Sequence, residues 1–150
     1  PFTVLGSLDS VEAGLRQLRR ARPVETAAYD SEGGKTVAIP TMAEILRIKA
    51  YLVLQRNAVR DYLDLVALTD SMGLAQAAEI LRDIDAYYLD RADNDESVLS
   101  ALILKLAAPQ PRDPEVTGQL STYKALVARW QDWSAVEVAC HDLSQELARQ

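Results

Sequence analysis

The sequence predicts an α+β fold in which a small β-hairpin precedes a predominantly α-helical bundle, residues 1–40 forming the β part and 41–150 the helical domain. Three observations carry this reading. Two β-rich runs, residues 24–29 and 35–39, flank the turn-forming Asp30-Ser31-Glu32-Gly33-Gly34, the pattern of a hairpin. Beyond Pro40, apolar residues recur at helical spacing almost to the C-terminus. At the junction Thr41 is followed three residues later by Glu44, the signature of a capped helix start.

Residues 1–5 are short and apolar and could form a strand entering a turn at Gly6-Ser7. From Asp9 the spacing of Val11, Leu15 and Leu18 predicts a helix capped by Asp9, with Glu12 as its acidic return and Arg22-Pro23 as its exit. Arg16, Arg19, Arg20 and Arg22 then fall near its C-terminal end, where the helix dipole favours cations, and read as a solvated terminus rather than a phosphate site. After the hairpin, Pro40 ends the second strand because it lacks an N–H.

The spacing predicts helices over residues 41–54 and 58–72, the second stopped by Gly73. A third covers 74–89, on an apolar stripe of Leu74, Ala77, Ala78, Leu81, Ile84 and Tyr88. A polar loop over 90–95 precedes a fourth carrying Val98, Leu102, Ile103 and Leu106. The Pro109-Gln110-Pro111-Arg112-Asp113-Pro114 break is the clearest linker. Tyr123, Leu126, Val127 and Trp130 mark a fifth helix, and Val136, Val138, Leu143 and Leu147 a last one over 134–148.

Composition excludes several classes. The chain has 150 residues, and no run reaches the roughly 18 apolar residues of a membrane span. No secretion signal is visible, so a cytoplasmic location without membrane association is expected. One cysteine, Cys140, and one histidine, His141, cannot build a disulfide or a Cys/His zinc site. Sixteen Lys+Arg against 22 Asp+Glu give a net charge of -6, which argues against indiscriminate binding to a phosphate backbone. The first residue is Pro1 rather than methionine, so the natural protein is expected to begin upstream.

The most informative region lies between Thr41 and Asp70. Lys49 is four residues from Ile45 and three from Leu52, placing an ammonium on or beside the buried stripe of its helix. It either snorkels to the rim or is aimed at an anion or a carboxylate in a cleft. On the next helix Arg60 and Asp64 are spaced i,i+4, and Asp61 shares a face with Asp64. Between Ile45 and Arg60 there are four cations, Arg47, Lys49, Arg56 and Arg60, and no acid, which makes this segment the best phosphate-facing candidate.

Other candidates read as structure. Asp93-Asn94-Asp95-Glu96 lacks the glycine and spaced acids of a calcium loop. Cys140-His141 reads as a buried thiol beside a surface imidazole, Gly33-Gly34 as a hairpin loop rather than a phosphate cradle, and Trp130 with Trp133 as packing residues.

The runs Ile39-Pro40-Thr41-Met42-Ala43-Glu44-Ile45-Leu46-Arg47-Ile48-Lys49-Ala50, Gln55-Arg56-Asn57 and Arg60-Asp61-Tyr62-Leu63-Asp64-Leu65 resemble the C-terminal half of the AbiEii/AbiGii-type nucleotidyltransferases, many of them toxins of toxin–antitoxin systems. Tyr123-Lys124-Ala125-Leu126 and Trp130-Gln131-Asp132-Trp133 resemble the tail of such proteins. The resemblance implies that the hairpin is a remnant of a nucleotidyltransferase core. It implies transfer of a nucleoside monophosphate from an NTP to an acceptor such as RNA, with Lys49 binding triphosphate and Asp64 orienting it or acting as base. Arg60 and Asp61 would complete the nucleotide site. It further implies Mg2+, held mainly by an upstream Asp-x-Asp motif that this chain lacks, and an antitoxin partner. The alternatives are a catalytically inactive helical module that docks an acidic partner through the Ile45-to-Arg60 patch, and a purely structural helical domain.

Overall fold

A computed structural model of the chain describes residues 3–16, 20–88, 97–123 and 126–149. It is α+β, as the pattern predicts: two separate antiparallel hairpins followed by a helical bundle.

The first hairpin pairs β1 (Thr3–Leu8) with β2 (Val11–Arg16), in the register Val4↔Leu15, Gly6↔Ala13 and Leu8↔Val11. It replaces the helix expected from Asp9 onward. Asp9 and Ser10, at φ 49° and 65°, form a two-residue turn whose paired left-handed residues match the twist of the flanking strands. Asp9 is therefore a turn residue and not a helix cap. The residues from Val11 onward alternate as well as they repeat every four, and Gly14 at the centre is poor in a helix. Local turn chemistry thus wins over the apparent helical period. The second hairpin, β3 (Thr26–Asp30) with β4 (Thr36–Pro40), forms where expected, closed by Gly34 at φ 71° and by the bonds from Ser31 N to Lys35 O and from Gly34 N to Ser31 O, both 2.9 Å.

The helical part begins with α1 (Met42–Gln55). Thr41 Oγ1 accepts from Glu44 N at 3.1 Å, the forward half of a capping box. The return half is diverted: Thr41 N donates to Glu25 O at 3.0 Å, and the Glu44 carboxylate turns to Arg20. Helix α2 (Val59–Met72) is capped at Ala58 N by Asp61 Oδ2, 3.2 Å, and at Val59 N by Asp113 Oδ1, 2.8 Å. Gly73, at φ 89°, turns the chain directly into α3 (Leu74–Leu81).

Helix α3 is shorter than expected. It stops at Leu81 and gives way to a 3-10 turn, Ile84–Ala86, that still seats Ile84 in the core. The expected polar loop over 90–95 falls outside the described residues. Helix α4 (Val98–Ala107) is capped by Ser97, whose Oγ accepts from Ser100 N and donates to Asp85. The expected helix around Tyr123–Trp130 is instead two 3-10 segments, Pro114–Thr122 and Ala128–Gln131, with Lys124 and Ala125 outside the described residues. Thr117 and Thr122 each donate a hydroxyl to the carbonyl three residues earlier at 2.7 Å, and Pro114 and Gly118 weaken any α-helix there. Helix α5 (Trp133–Ala148) closes the chain.

The core lies among the five helices. Leu46, Ala50 and Val53 of α1 meet Tyr62, Leu65 and Val66 of α2, Ala77, Ala78 and Leu81 of α3, Leu102 and Leu106 of α4, and Val136, Leu143 and Leu147 of α5. Tyr51 stacks on Tyr88 at 3.8 Å between ring centroids, and Tyr62 meets Trp133 edge-on at 5.9 Å. Cys140 is buried, and burial pushes its thiol up to about 12, which makes it inert, while His141 is exposed.

Candidate functional site

Lys49 and Asp64 meet across the two helices. Lys49 projects from the middle of α1 and Asp64 from the second turn of α2, and Lys49 Nζ donates to Asp64 Oδ2 at 2.7 Å. Their side chains are 28% and 30% exposed, so the pair sits at the rim of the interhelical seam. This is the snorkelling geometry, with a carboxylate at its end. The neighbours in the motif part company with them. Arg60 is exposed, whereas Asp61 is fully buried, pairing with Arg56 and capping α2 through Ala58 N. Asp61 is thus committed to the entry of α2 rather than to a surface patch.

A second cluster, not anticipated from the pattern, lies where the segment leading into β3 crosses the bundle. Glu44, fully buried, receives both terminal nitrogens of Arg20, whose side chain is 5% exposed. The backbone N–H of Glu25 also reaches Glu44 Oε2 at 3.4 Å. Arg47 donates to Glu25 Oε2 at 3.0 Å and lies 3.6 Å from Asp83. Tyr87 donates its phenol to Glu25 Oε1 at 2.6 Å, and its ring sits beneath Arg47, Arg22 and Arg20, 4.1, 4.9 and 5.2 Å from the guanidinium carbons. The backbone joins in, with Ala21 N donating to Tyr87 O at 2.8 Å.

The electrostatics follow from these contacts. The hydrogen bonds from Tyr87 and Arg47 hold the Glu25 carboxyl below its ordinary value, and the same carboxylate raises the Tyr87 phenol. For Arg20, burial works against the charge, but the hydrogen bond and charge of Glu44 outweigh it and the guanidinium is held more firmly protonated. The arginines expected to decorate a helix end therefore include one, Arg20, that is a buried tether. The sequence shows Glu44 only as the partner of Thr41 in a capped helix start, and without the long-range contact nothing links it to Arg20.

A small cleft of about 190 Å³ opens between α2, α3 and α5, lined by Thr69, Asp70, Arg129, Trp130 and Asp142. It is below the roughly 300–1,000 Å³ of ordinary small-molecule sites. Arg129 pairs with Asp70 and lies over the Trp130 ring, which is itself buried, so Trp130 serves packing as its spacing suggested. Among the described residues no group of three or more His, Cys, Asp or Glu side chains is placed to hold a metal ion, and no helix is long and apolar enough to cross a membrane.

Comparison with known proteins overturns the nucleotidyltransferase resemblance. No protein-family profile matches the chain, and no solved structure matches it. Relatives named as transport proteins do. The chain is 38% identical over 114 residues to the heme uptake protein MmpL11 of Mycobacterium tuberculosis, a stretch that is 76% of this chain and 12% of the relative. It is 36% identical over 123 residues to the mycolic acid-containing lipids exporter MmpL11 of Mycolicibacterium smegmatis, 82% of this chain and 12% of the relative. It is 34% identical over 146 residues to the probable transport protein MmpL11 of Mycobacterium leprae, 88% of this chain and 14% of the relative.

None of these names is that of a nucleotidyltransferase or toxin, so NTP, RNA acceptor and antitoxin fall as partners, and with them the reading of the chain as an AbiEii-like transferase or as a module docking an acidic partner. The expectation of a cytoplasmic protein without membrane association falls too, because uptake and export are movements across a membrane. The nucleotide roles of Lys49, Arg60, Asp61 and Asp64 rested on that resemblance. What the geometry shows is one interhelical ion pair, one exposed arginine and one buried cap. The chain spans 12–14% of the length of the relatives it matches, and its similarity is to transport proteins of the MmpL11 kind.

Proposed function

We propose that this chain is a folded, non-spanning portion of an MmpL11-type transport protein, working as part of a larger polypeptide that moves heme or lipid. The observation that carries this reading is 34–38% identity over 76–88% of the chain to relatives named for transport. The helices support it in kind: the longest, α5, has 16 residues and carries charged and polar side chains along its length, as a domain beside a membrane protein would. The described interior is occupied by packing and by internal ion pairs, in keeping with an architectural part of a transporter.

The test is replacement. In a strain lacking the M. tuberculosis protein, a version with its matching stretch deleted and a version with that stretch replaced by this chain are compared for growth on heme as iron source. Deletion is expected to abolish growth and replacement to restore it. Full growth after deletion, or none with a chimera present at normal levels, refutes the reading.

A further inference from the structure

The cleft between α2, α3 and α5 has a lining that packing does not explain. Val66, Thr69, Asp70 and Gly73 line it from one face of α2, at the i, i+3, i+4 and i+7 spacing of neighbours on a helix. Thr69 is only 6% exposed, and its hydroxyl has no hydrogen-bond partner among the described residues. Buried polar groups in native proteins are nearly always paired, so a lone hydroxyl on the face that lines a cleft points to a group entering from outside.

The charges in the cleft set the sign of that group. Asp70 gives Oδ1 to Arg129, which leaves Oδ2 outside that bond, and Asp142 of α5 pairs with no cation among the described residues. Arg129 is committed to Asp70 and to the Trp130 ring, whose centroid lies 4.4 Å from its guanidinium carbon. One arginine against two aspartates leaves one net negative charge. The cleft also lies at the C-terminal end of α2, the negative end of the helix dipole, and α2 has no basic residue in its last turn. An anion is disfavoured there and a neutral group leaves Asp142 unpaired, whereas a monovalent cation matches.

Size and lining narrow the class. About 190 Å³ admits one side-chain-sized group, and Val66, Leu74 and Ala139 supply an apolar wall. An alkylammonium has that form: a stem that packs on apolar surface, and a head with three N–H donors for the oxygens of Asp70, Asp142 and Thr69. A guanidinium suits the cleft less well, since the place that favours one, against a carboxylate and over an indole, is already taken by Arg129. We propose that this cleft binds a single alkylammonium group, the end of a lysine side chain or of a free amine, with Asp142 and Asp70 matching its charge, the Thr69 hydroxyl accepting one N–H, and the apolar wall receiving its stem. The site needs nothing from the transport reading above.

Titrating the isotope-labelled chain with butylammonium chloride at constant ionic strength, followed by amide NMR, tests this. The amides of Thr69, Asp70, Gly73 and Asp142 and the Trp130 indole N–H are expected to shift together and to saturate in the millimolar range, with butanol and butyrate binding at least about tenfold more weakly. Asp142→Asn and Thr69→Val should each weaken binding about tenfold, while Thr69→Ser, which keeps the hydroxyl, retains it. Glu115→Gln removes an exposed acid outside the cleft and should leave the affinity unchanged. Resonances remote from the cleft report that each variant is folded. A doubly blocked lysine, acetylated at its α-amine and methylamidated at its carboxyl, separates the sources: binding as tight as that of butylammonium assigns the cleft to a polypeptide lysine, and binding at least about tenfold weaker assigns it to a free amine. Shifts that do not saturate, butanol or butyrate binding as tightly as butylammonium, or wild-type affinity in both Asp142→Asn and Thr69→Val would overturn the proposal.

Discussion

Replacing Glu44 by glutamine should be among the most damaging conservative changes in this chain. The carboxylate is fully buried, it accepts both terminal nitrogens of Arg20, and that arginine is 5% exposed. Glutamine keeps the volume and removes the charge, so the Arg20 guanidinium, which does not shed its proton, is left buried and uncompensated. Arg47 suffers less, since it retains Glu25. Breaking a buried pair from one side costs about 3–5 kcal/mol, a large part of the roughly 5–15 kcal/mol that holds an ordinary domain together. At roughly 2–4 °C per kcal/mol for a chain of this size, Tm should fall by roughly 6–20 °C. Urea unfolding followed by circular dichroism measures the loss directly. Arg20→Met and the double variant complete the cycle, and the double variant should recover part of the single loss because neither charge is then stranded. Amide exchange at Ala21 and Thr41, whose N–H groups bond to Tyr87 and Glu25, should accelerate in Glu44→Gln ahead of amides in α5. A Glu44→Gln variant within about 0.5 kcal/mol of wild type would refute the reasoning, since that is the range of a solvated surface change.

Four further outcomes are expected. The Lys49–Asp64 pair is nearly a third exposed at both ends, so a double-mutant cycle with Lys49→Ala and Asp64→Ala should give a coupling of only about 0.2–1 kcal/mol, shrinking with salt; a coupling above about 2 kcal/mol would show a desolvated pair instead. The Glu25 carboxyl is held below its ordinary value, so its contribution is present above the unfolded value of about 4.3 and is lost as pH falls through the folded one; the stability difference between wild type and Glu25→Gln in thermal melts should therefore shrink as the pH is lowered below that unfolded value. Tyr87 is shifted upward by the same bond, so its contribution is present below the unfolded value of about 10 and is lost at higher pH, and Tyr87→Phe should flatten that alkaline limb. The Thr69 hydroxyl is buried with no hydrogen-bond partner among the described residues, so Thr69→Val should be neutral or raise stability by about 1 kcal/mol in urea melts, whereas a loss of more than 1 kcal/mol would reveal a partner for it.

Helices α1, α2, α4 and α5 and the β3–β4 hairpin lie close to where the pattern places them, because each carries its own instructions: a cap, an unbroken period and a stop. The period of α1 made legible that Lys49 lies on or beside its inward stripe, but that it meets Asp64 was decided by how α1 and α2 pack. The wider site was not legible. An Arg-Asp-x-x-Asp spacing on a helix is equally suited to a nucleotide site and to a capped helix with a rim ion pair, and only the burial of Asp61 against Arg56 and the exposure of Arg60 separate the two.

The sequence by itself determined the elements whose signals are local, together with the α+β class. Tertiary structure decided the rest. It settled that residues 3–16 form a hairpin, where a four-residue and a two-residue period coincide and the Asp9-Ser10 turn breaks the tie. It seated Leu120 and Trp130 in the core from 3-10 segments rather than an α-helix. It also made Arg20 a buried tether, because a salt bridge across 24 residues of chain depends on where the intervening hairpin sends the backbone, and periodicity along one helix holds no record of that.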